Sequence, residues 1–326
     1  MNSKSFYPLY TQGKLDPQCE TLLRQIVASN SPALSTLTPE QARKNFLLKS
    51  WLGKPKPLAG IKNLTIPGPG GLIPIRVYVP EGRPPYPTLV FFHGGGFVLG
   101  TLDEFDSFCS FLAGGASCLV ISVDYRLAPE HKYPAAVEDA WTAVQWLAAH
   151  AEELQADPKR MALAGDSAGA NLTAVVTLLA RDRRFPDIRY QVLICPGLDW
   201  SNFETDSFRY FGGGLWLSKA NMKWYRDHYL QNPGQALHPN VSPLLAENLN
   251  GLPPALILTA EFDVVRGQGE AYAKRLKEAG VPVMNICYRG MLHDFVTLPG
   301  LFDRASKAID EICVCLRKSM GKKEDR

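Results

Sequence analysis

The chain has 326 residues, which suits two domains or one large domain with insertions at about 100–200 residues per domain. Hydrophobic residues make up 46% and charged residues 21%, as in an ordinary globular protein, so a disordered or collagen-like chain is excluded. The formal net charge of +3 is too small to indicate a nucleic-acid-binding protein, for which a clustered basic surface is expected.

The cysteines and the apolar segments indicate in which cellular compartment the protein is expected. The seven cysteines are odd in number and scattered, without C-x-x-C spacing, so neither a disulfide framework nor a zinc cluster is indicated. No window approaches the roughly 18 apolar residues of a membrane span, and residues 1–10 lack the apolar run of a signal peptide. We therefore predict a cytoplasmic protein with no metal, no nucleic-acid partner and no stable membrane insertion.

The secondary-structure signals change character after the first fifty residues. Two short amphipathic helices come first, one after Asp16-Pro17 and one at a Thr38 cap followed by proline and glutamate. Strands are then predicted at residues 63–66, 73–78, 88–92, 119–124, 161–164, 191–195, 255–259 and 282–288. Helices are predicted at residues 135–154, 168–180, 269–279 and 301–316. This alternation predicts an α/β fold, a mostly parallel sheet covered by helices on both faces.

The alternation stops between residues 196 and 252, where aromatic side chains accumulate around a Gly212-Gly213-Gly214 hinge. These aromatics are Trp200, Phe203, Phe208, Tyr210, Phe211, Trp216, Trp224, Tyr225 and Tyr229. The composition favours a lid or pocket wall with an apolar underside, and ordinary packing of a helical excursion onto the sheet is the alternative.

The segment Gly165-Asp166-Ser167-Ala168-Gly169 stands between a predicted strand and a predicted helix. This is the G-x-S-x-G pattern in the strand-turn-helix context that gives it meaning. The tight turn strains the serine backbone, and the flanking glycines remove side chains that would collide there. The helix N-terminus offers free N–H groups and a positive dipole end to an oxyanion. The pattern predicts a nucleophilic serine.

A second motif, His93-Gly94-Gly95-Gly96-Phe97, directly follows the strand at residues 88–92. Its bare backbone allows N–H groups to approach a substrate oxygen. A Walker phosphate loop is excluded because Gly-Lys-Ser/Thr is absent, and the dinucleotide fingerprint fits badly. A merely flexible turn is the remaining alternative. The histidine is interpreted as a structural hydrogen-bonding residue rather than a general base.

The order of the HGGGF segment, the Tyr-Arg-Leu-Ala-Pro-Glu segment at residues 125–130 and the GDSAG segment resembles the hormone-sensitive-lipase group of α/β-hydrolases, the bacterial family IV esterases. The resemblance runs from about residue 61 to the last helix and extends into the N-terminal segment. It implies an α/β-hydrolase fold with about eight strands and a helical cap. It further implies a serine carboxylesterase that acts on short- to medium-chain esters without a cofactor.

On this basis the chain is divided into a cap and a core. We predict that residues 1–50 form the N-terminal helical part of the cap and residues 200–250 the cap insertion. Residues 51–199 and 251–326 are predicted to form the two halves of one catalytic core. Relatives form dimers through the edge of the sheet, so a homodimer is an open expectation.

The remaining triad members must follow the serine in the order acid, then histidine. Asp263 follows a strand and lies at its carboxyl end, where the active-site edge of such a sheet is found. His293 follows the last strand, and both residues match the family's acid and base positions. Glu261 and Asp294 compete for the role of the acid.

This chain departs from the family pattern beside its triad, with Val264 where proline is frequent and Asp294 where glycine is frequent. Adjacent side chains such as His293 and Asp294 usually point in different directions. We predict that Asp294 raises the pKa of His293 if the two groups approach within about 4–6 Å. In the 125–130 segment, Arg126 and Glu130 are predicted to form a buried polar brace around the active-site loops.

The predicted mechanism is acyl transfer to water, with Ser167 as nucleophile, His293 as base and Asp263 as the orienting acid. The oxyanion is expected to meet the N–H groups of Gly95, Gly96 and Ala168, while Gly94 shapes the turn or takes part. Two alternatives stay open. The chain could be a non-catalytic ligand receptor of the same fold, and amidase, deacetylase or lactone-hydrolase activity would use the same machinery.

Overall fold

The computed structural model describes residues 6–45 and 56–321. The predicted cap–core boundary at residues 50 and 51 lies outside the described residues. The strands are β1 (Gly60–Gly68), β2 (Gly71–Val79), β3 (Tyr86–Phe92), β4 (Leu119–Val123), β5 (Ala156–Asp166), β6 (Ile188–Ile194), β7 (Ala255–Phe262) and β8 (Val283–Leu292). The helices are α1 (Pro17–Ser29), α2 (Pro39–Asn45), α3 (Asp106–Ala116), α4 (Ala135–Ala149), α5 (Ala168–Arg183), α6 (Asp206–Phe211), α7 (Lys219–Tyr229), α8 (Arg266–Glu278) and α9 (Asp303–Met320). Short 3₁₀ turns lie at Leu34–Thr36, Pro233–Leu237, Pro243–Leu245 and Phe295–Thr297.

The strands form one eight-stranded sheet in the order β1-β2-β4-β3-β5-β6-β7-β8. Strand β2 is antiparallel to both of its neighbours, and every other neighbouring pair is parallel. The predicted fold class, a mostly parallel sheet of about eight strands, is therefore confirmed. Because the parallel strands β3 and β5–β8 run the same way, their carboxyl ends meet at one edge of the sheet, where ligands bind in open α/β sheets.

The central strands owe their position to continuous apolar sequence. All residues of β4 and β7 are buried, because helices cover both faces of a parallel sheet and leave no face for polar side chains. Helices α4, α5 and α8 cover one face, and α3 and α9 pack together on the other. Helix α9 turns a narrow apolar stripe toward the sheet, formed by Ala305, Ala308, Ile309, Ile312, Cys313, Leu316 and Met320.

The N-terminal helices begin where the capping signals predicted. The Asp16 carboxylate accepts a hydrogen bond of 3.0 Å from the Gln18 N–H, and proline occupies the first turn of α1. At α2, the Thr38 hydroxyl accepts from the Gln41 N–H and the Gln41 side chain accepts from the Thr38 N–H. This reciprocal capping box satisfies N–H groups that the helix itself leaves free.

Helix α3 has no counterpart among the helices predicted from the sequence. Most of its residues are buried, including two serines, so no polar face marks it as an amphipathic helix. Its Gly115 lies where an added Cβ would come within 2.6 Å of the Cys313 Sγ on α9. The glycine therefore permits a close approach of two helices, a requirement that local periodicity does not contain.

Over the described ranges 6–45 and 56–321, none of the helices combines the length and the apolar character that a bilayer crossing requires.

Candidate active site

Ser167 lies in the turn between β5 and α5. Its backbone angles, φ +52° and ψ −113°, are rarely adopted by residues that carry a side chain. The neighbouring glycines permit this turn. A Cβ on Gly165 would lie 2.2 Å from the Gly169 carbonyl oxygen, and a Cβ on Gly169 would lie 1.9 Å from the carbonyl oxygen of Phe92. The strained turn therefore presents the serine at the carboxyl edge of the sheet, packed directly against the end of β3.

Three side chains from distant parts of the chain meet at this turn. The Oγ of Ser167 lies 2.9 Å from the Nε2 of His293, and the Nδ1 of His293 lies 2.7 Å from the Oδ2 of Asp263. The imidazole and the carboxylate are buried, whereas the serine is partly exposed. One continuous hydrogen-bonded chain thus runs from a buried acid to an accessible hydroxyl.

The structure separates the two acids near the end of β7. Asp263 contacts the imidazole and also accepts a hydrogen bond of 3.0 Å from the Val265 N–H, which fixes its carboxylate. Glu261 instead accepts hydrogen bonds from the hydroxyl of Tyr10 at 2.9 Å and the N–H of Gly290 at 2.7 Å. Glu261 therefore ties the N-terminal segment to β8, away from the imidazole.

The three glycines after β3 form a loop beside the serine turn. Gly95 and Gly96 have positive φ angles of +110° and +62°. The carbonyl of Gly95 accepts hydrogen bonds from the N–H groups of Val98 and Leu99, which hold the loop in place. A Cβ on Gly94 would come within 2.4 Å of the Asp166 carboxylate. Ala168 is the first residue of α5, so its N–H has no partner within the helix.

His93 is buried beneath this loop and takes no part in the hydrogen-bonded chain to the serine. Its Nδ1 lies 2.8 Å from the Gly94 carbonyl oxygen, and its ring stacks on Tyr125 with centroids 4.3 Å apart. Burial lowers the pKa of His93 to about 4, so the ring is neutral at physiological pH. These contacts agree with a structural role.

A further carboxylate lies at the imidazole. The Oδ2 of Asp294 is 3.2 Å from the Nε2 of His293, so the expectation that the two adjacent side chains point apart is wrong. The reason is local: Asp294 is in the left-handed region with φ +55°, which turns its side chain back toward its neighbour.

The charges around the imidazole shift several pKa values. Burial lowers the pKa of His293, but the carboxylates of Asp263 and Asp294 raise it to about 9. Partial burial raises the pKa of Asp294 to about 6, against the opposing charge of His293. Burial and the charge of Asp294 raise the pKa of Asp166 well above its usual range. The two carboxylates therefore favour the protonated form of His293, and burial opposes them.

The prediction that Arg126 and Glu130 brace each other is wrong, because each forms ion pairs with other residues. Arg126 contacts Asp139 at 2.8 Å, while the half-exposed Glu130 pairs with Arg43 of α2 at 2.7 Å. Arg43 also donates to the carbonyl oxygen of Val98 at 2.9 Å. It thereby connects an N-terminal helix to the glycine loop, a contact that sequence analysis missed because the two segments lie far apart along the chain.

Two aromatic residues of the 200–250 insertion touch the site directly. The indole N–H of Trp216 donates a hydrogen bond of 2.8 Å to the carbonyl oxygen of His293. The ring of Tyr225 lies so close to Gly96 that a Cβ there would come within 2.2 Å. Other aromatics of the insertion pack on the core, such as Tyr229, which stacks on Phe97 at 3.8 Å.

Potential metal-ligand atoms also meet at this point. Among the residues that the structure describes, Cys195, His293 and Asp294 bring a sulfur, a nitrogen and an oxygen within 4.8 Å of one another. The Nε2 of the imidazole is already within hydrogen-bond distance of Ser167. The three ligand atoms therefore include the imidazole nitrogen that contacts the serine.

The fold and this serine–histidine–aspartate geometry define an α/β hydrolase, and comparison with known proteins agrees. Residues 89–297 match the model of a protein family whose description is the α/β hydrolase fold, so the chain belongs to that family. The hormone-sensitive-lipase group predicted from the motifs is thereby confirmed.

Named relatives and solved structures extend the similarity over most of the chain. The carboxylic ester hydrolase LipN of Mycobacterium tuberculosis is 44% identical, covering 80% of this chain and 71% of its own length. An arylesterase of Saccharolobus solfataricus is 34% identical and covers 94% and 99% respectively. A structure of a hyperthermophilic esterase from Pyrobaculum calidifontis has a TM-score of 0.89 at 38% identity, covering 93% of this chain and 98% of that one. These proteins carry the names of the enzyme class that the sequence predicts here.

Proposed function

We propose that this protein is a serine carboxylesterase that hydrolyses short- to medium-chain carboxylic esters through an acyl-enzyme on Ser167. The supporting observation is the chain of hydrogen bonds from Ser167 through His293 to Asp263, with distances of 2.9 and 2.7 Å. The names of the relatives support ester chemistry, among them an ethyl acetate hydrolase of Pseudomonas putida that is 34% identical.

The first step is attack of the serine oxygen on the ester carbonyl carbon. The Nε2 of neutral His293 accepts the hydroxyl proton as the new C–O bond forms, and the imidazole becomes positively charged. The Nδ1–H remains donated to Asp263, whose buried carboxylate holds the correct tautomer and stabilises that charge.

The carbonyl oxygen gains negative charge in this step and needs hydrogen-bond donors. We propose that the N–H groups of Gly95, Gly96 and Ala168 meet it, with Gly94 shaping the loop against Asp166. A preorganised donor of this kind stabilises the transition state by about 3–4 kcal/mol. The leaving alcohol then takes the proton from His293, and water repeats the attack on the acyl-enzyme with the same base.

The cap is proposed to combine the N-terminal helices with the 200–250 insertion. The indole N–H of Trp224 donates to the Leu37 carbonyl oxygen at 3.0 Å, and Tyr7 packs edge-to-face on Phe211 at 5.5 Å. Together with the contact of Trp216 to the histidine backbone, these bonds support an apolar wall above the serine. Such a wall suits a short acyl chain better than a polar substrate.

The first test replaces Ser167 with alanine and compares it with Ser306→Ala, an exposed serine on α9. We expect hydrolysis of p-nitrophenyl esters to fall by roughly a thousandfold or more in Ser167→Ala and to be unchanged in the control. A fluorophosphonate probe should label the wild-type protein at Ser167. Wild-type protein that resists the probe would support the receptor alternative, and full activity in Ser167→Ala would contradict the mechanism.

The acyl preference is measured separately, with p-nitrophenyl esters of increasing chain length. We expect the highest kcat/KM between about two and eight carbons, because the aromatic cap limits the length of chain that can be buried. A rate that keeps rising with longer chains would contradict the proposed substrate range.

A further inference from the structure

The Nε2 of His293 has two oxygen neighbours, one from Ser167 and one from Asp294. The Oγ of Ser167 lies at 2.9 Å and the Oδ2 of Asp294 at 3.2 Å. The other ring nitrogen is occupied by Asp263. The ring nitrogens of the imidazole thus have two carboxylates and one hydroxyl within 3.2 Å.

The two neighbours favour opposite protonation states of the ring. In the neutral tautomer Nε2 carries a lone pair, which accepts the serine proton and is repelled by a carboxylate at this distance. In the imidazolium Nε2 carries a proton, which the Asp294 carboxylate attracts. An ionised Asp294 therefore stabilises the form of His293 that cannot act as a base.

The local structure directs the Asp294 carboxylate toward the imidazole. Its left-handed backbone aims the carboxylate at the imidazole, and its Oδ1 has no hydrogen-bond partner among the described residues. Its side chain is 25% exposed, so water screens the interaction only in part.

Other titratable groups lie around the His293–Asp294 pair on the elements packed against it. Asp263 and Asp166 face the imidazole, the thiol of Cys195 and the phenol of Tyr225 face Asp294, and the phenol of Tyr7 faces Asp263. Burial raises the pKa of the thiol and of both phenols, so these groups are uncharged near neutral pH. Asp294 contacts Nε2 and Asp263 contacts Nδ1. Replacing Asp294 therefore removes a charge at Nε2 and leaves the hydrogen bond to Asp263 in place.

We propose that Asp294 is a positioning residue whose carboxylate, 3.2 Å from the Nε2 of His293, stabilises the protonated ring by its charge and moves the acid limb of the esterase pH profile upward. The proposal rests on the proposed esterase function. With glycine or asparagine at this position, His293 would lose its proton and become able to act as a base at lower pH. Asp294 thereby shifts full activity toward higher pH.

The test compares wild-type protein with Asp294→Asn and Asp294→Gly over about pH 5 to about pH 10. Asparagine removes the charge, and glycine also keeps the left-handed backbone without strain. We expect the acid limb of kcat/KM to move down by about one pH unit in both variants, so that the rate at about pH 7 rises about tenfold. The control is Asp206→Asn, which removes an equal charge from a side chain that is 79% exposed on α6.

A second measurement does not depend on activity. The proton on Nδ1 of His293, which bridges to Asp263, gives a low-field proton NMR signal whose pH titration reports the charge of the ring. We expect its midpoint to fall by about one unit in both variants and to stay unchanged in Asp206→Asn. Midpoints and acid limbs that keep the wild-type value in either Asp294 variant would overturn the proposal. If Ser167→Ala leaves esterase activity intact, the proposed function fails, while the NMR titration still decides the effect of Asp294.

Discussion

Backbone conformation at single residues determines whether this site can exist. Ser167 in the serine turn has φ +52° and Gly95 in the glycine loop has φ +110°, and both lie outside the usual regions. Ser167 retains its side chain there because its neighbours Gly165 and Gly169 leave room. At Gly95 even a methyl group would collide, which makes this residue a sensitive point of the glycine loop.

Gly95→Ala is predicted to displace the loop. The added Cβ would lie 2.3 Å from the Leu99 carbonyl oxygen, a backbone atom that cannot rotate away. We expect kcat to fall roughly a hundred- to thousandfold as the N–H donors shift, and the free energy of unfolding to fall by about 1–3 kcal/mol. Ester hydrolysis and urea unfolding measure the two effects.

The matched control is Gly60→Ala, because an added Cβ at that position of β1 meets nothing within 4 Å. It should leave both the rate and the unfolding midpoint close to the wild-type values. Gly95→Ala protein that keeps the wild-type kcat would show that the loop does not supply the oxyanion donors in the way proposed.

Asp294 illustrates the limit of residue-level prediction. Its departure from the glycine frequent in the family was visible in the sequence, and so was the dependence of the His293 pKa on its distance. The direction of the side chain was not visible, because it depends on the left-handed φ of +55° that the turn after β8 imposes.

At the scale of elements, the Arg43 side chain connects helix α2 to the loops that follow β3 and β4. Arg43 donates to the carbonyl oxygens of Val98 and Ala128 and forms an ion pair with Glu130. Both carbonyls belong to loops that adjoin β3 and β4. The N-terminal part of the proposed cap is therefore held by hydrogen bonds from the Arg43 side chain to backbone carbonyls of the core, in addition to apolar packing.

Arg43→Met is predicted to loosen this connection while keeping the apolar stem of the side chain. The substitution leaves two backbone carbonyls and one carboxylate without their partner, which should lower the free energy of unfolding by about 1–3 kcal/mol. We also expect kcat/KM to fall, since Val98 follows the glycine loop by two residues. Urea unfolding and p-nitrophenyl ester hydrolysis check both.

Lys44→Met is the control for this prediction, because Lys44 is the next residue of α2 and forms only an exposed pair with Glu40. Exposed pairs of this spacing contribute about 0.3–0.5 kcal/mol, so little change is expected. An Arg43 variant no less stable than the Lys44 variant would contradict the proposed role of the arginine.

At the scale of the whole molecule, the fold is stabilised by packing without covalent cross-links. All seven cysteines are free thiols, and five of them are buried. Apolar side chains on both faces of the sheet form large buried clusters. This agrees with the scattered cysteine spacing in the sequence, which gave no disulfide framework.

Thiol titration is predicted to reveal this arrangement. In the folded protein about two thiols should react with Ellman's reagent at an appreciable rate, those of the partly exposed Cys287 and Cys315. After denaturation without reductant all seven should react. Cys287→Ser should lower the count in the folded protein by one, and fewer than seven reactive thiols after denaturation would demonstrate a disulfide.

The sequence by itself determined the alternation of strands and helices, the family and the positions of both glycine motifs. These features are encoded locally, since a buried strand needs a continuous apolar run and a tight turn needs glycine at particular positions. Helix α3 was not predicted, because burial on nearly all sides removes the amphipathic pattern by which a helix is recognised.

Only the tertiary structure decided that Glu261 points away from the imidazole, where Asp294 points and how Arg43 and Trp216 contact the loops after β3 and β8. Asp263 and Glu261 are two residues apart at the end of one strand, yet one contacts His293 and the other contacts Tyr10. Such partners lie tens to hundreds of residues away along the chain. They are selected by the packing of the whole sheet and its cap, which no local pattern records.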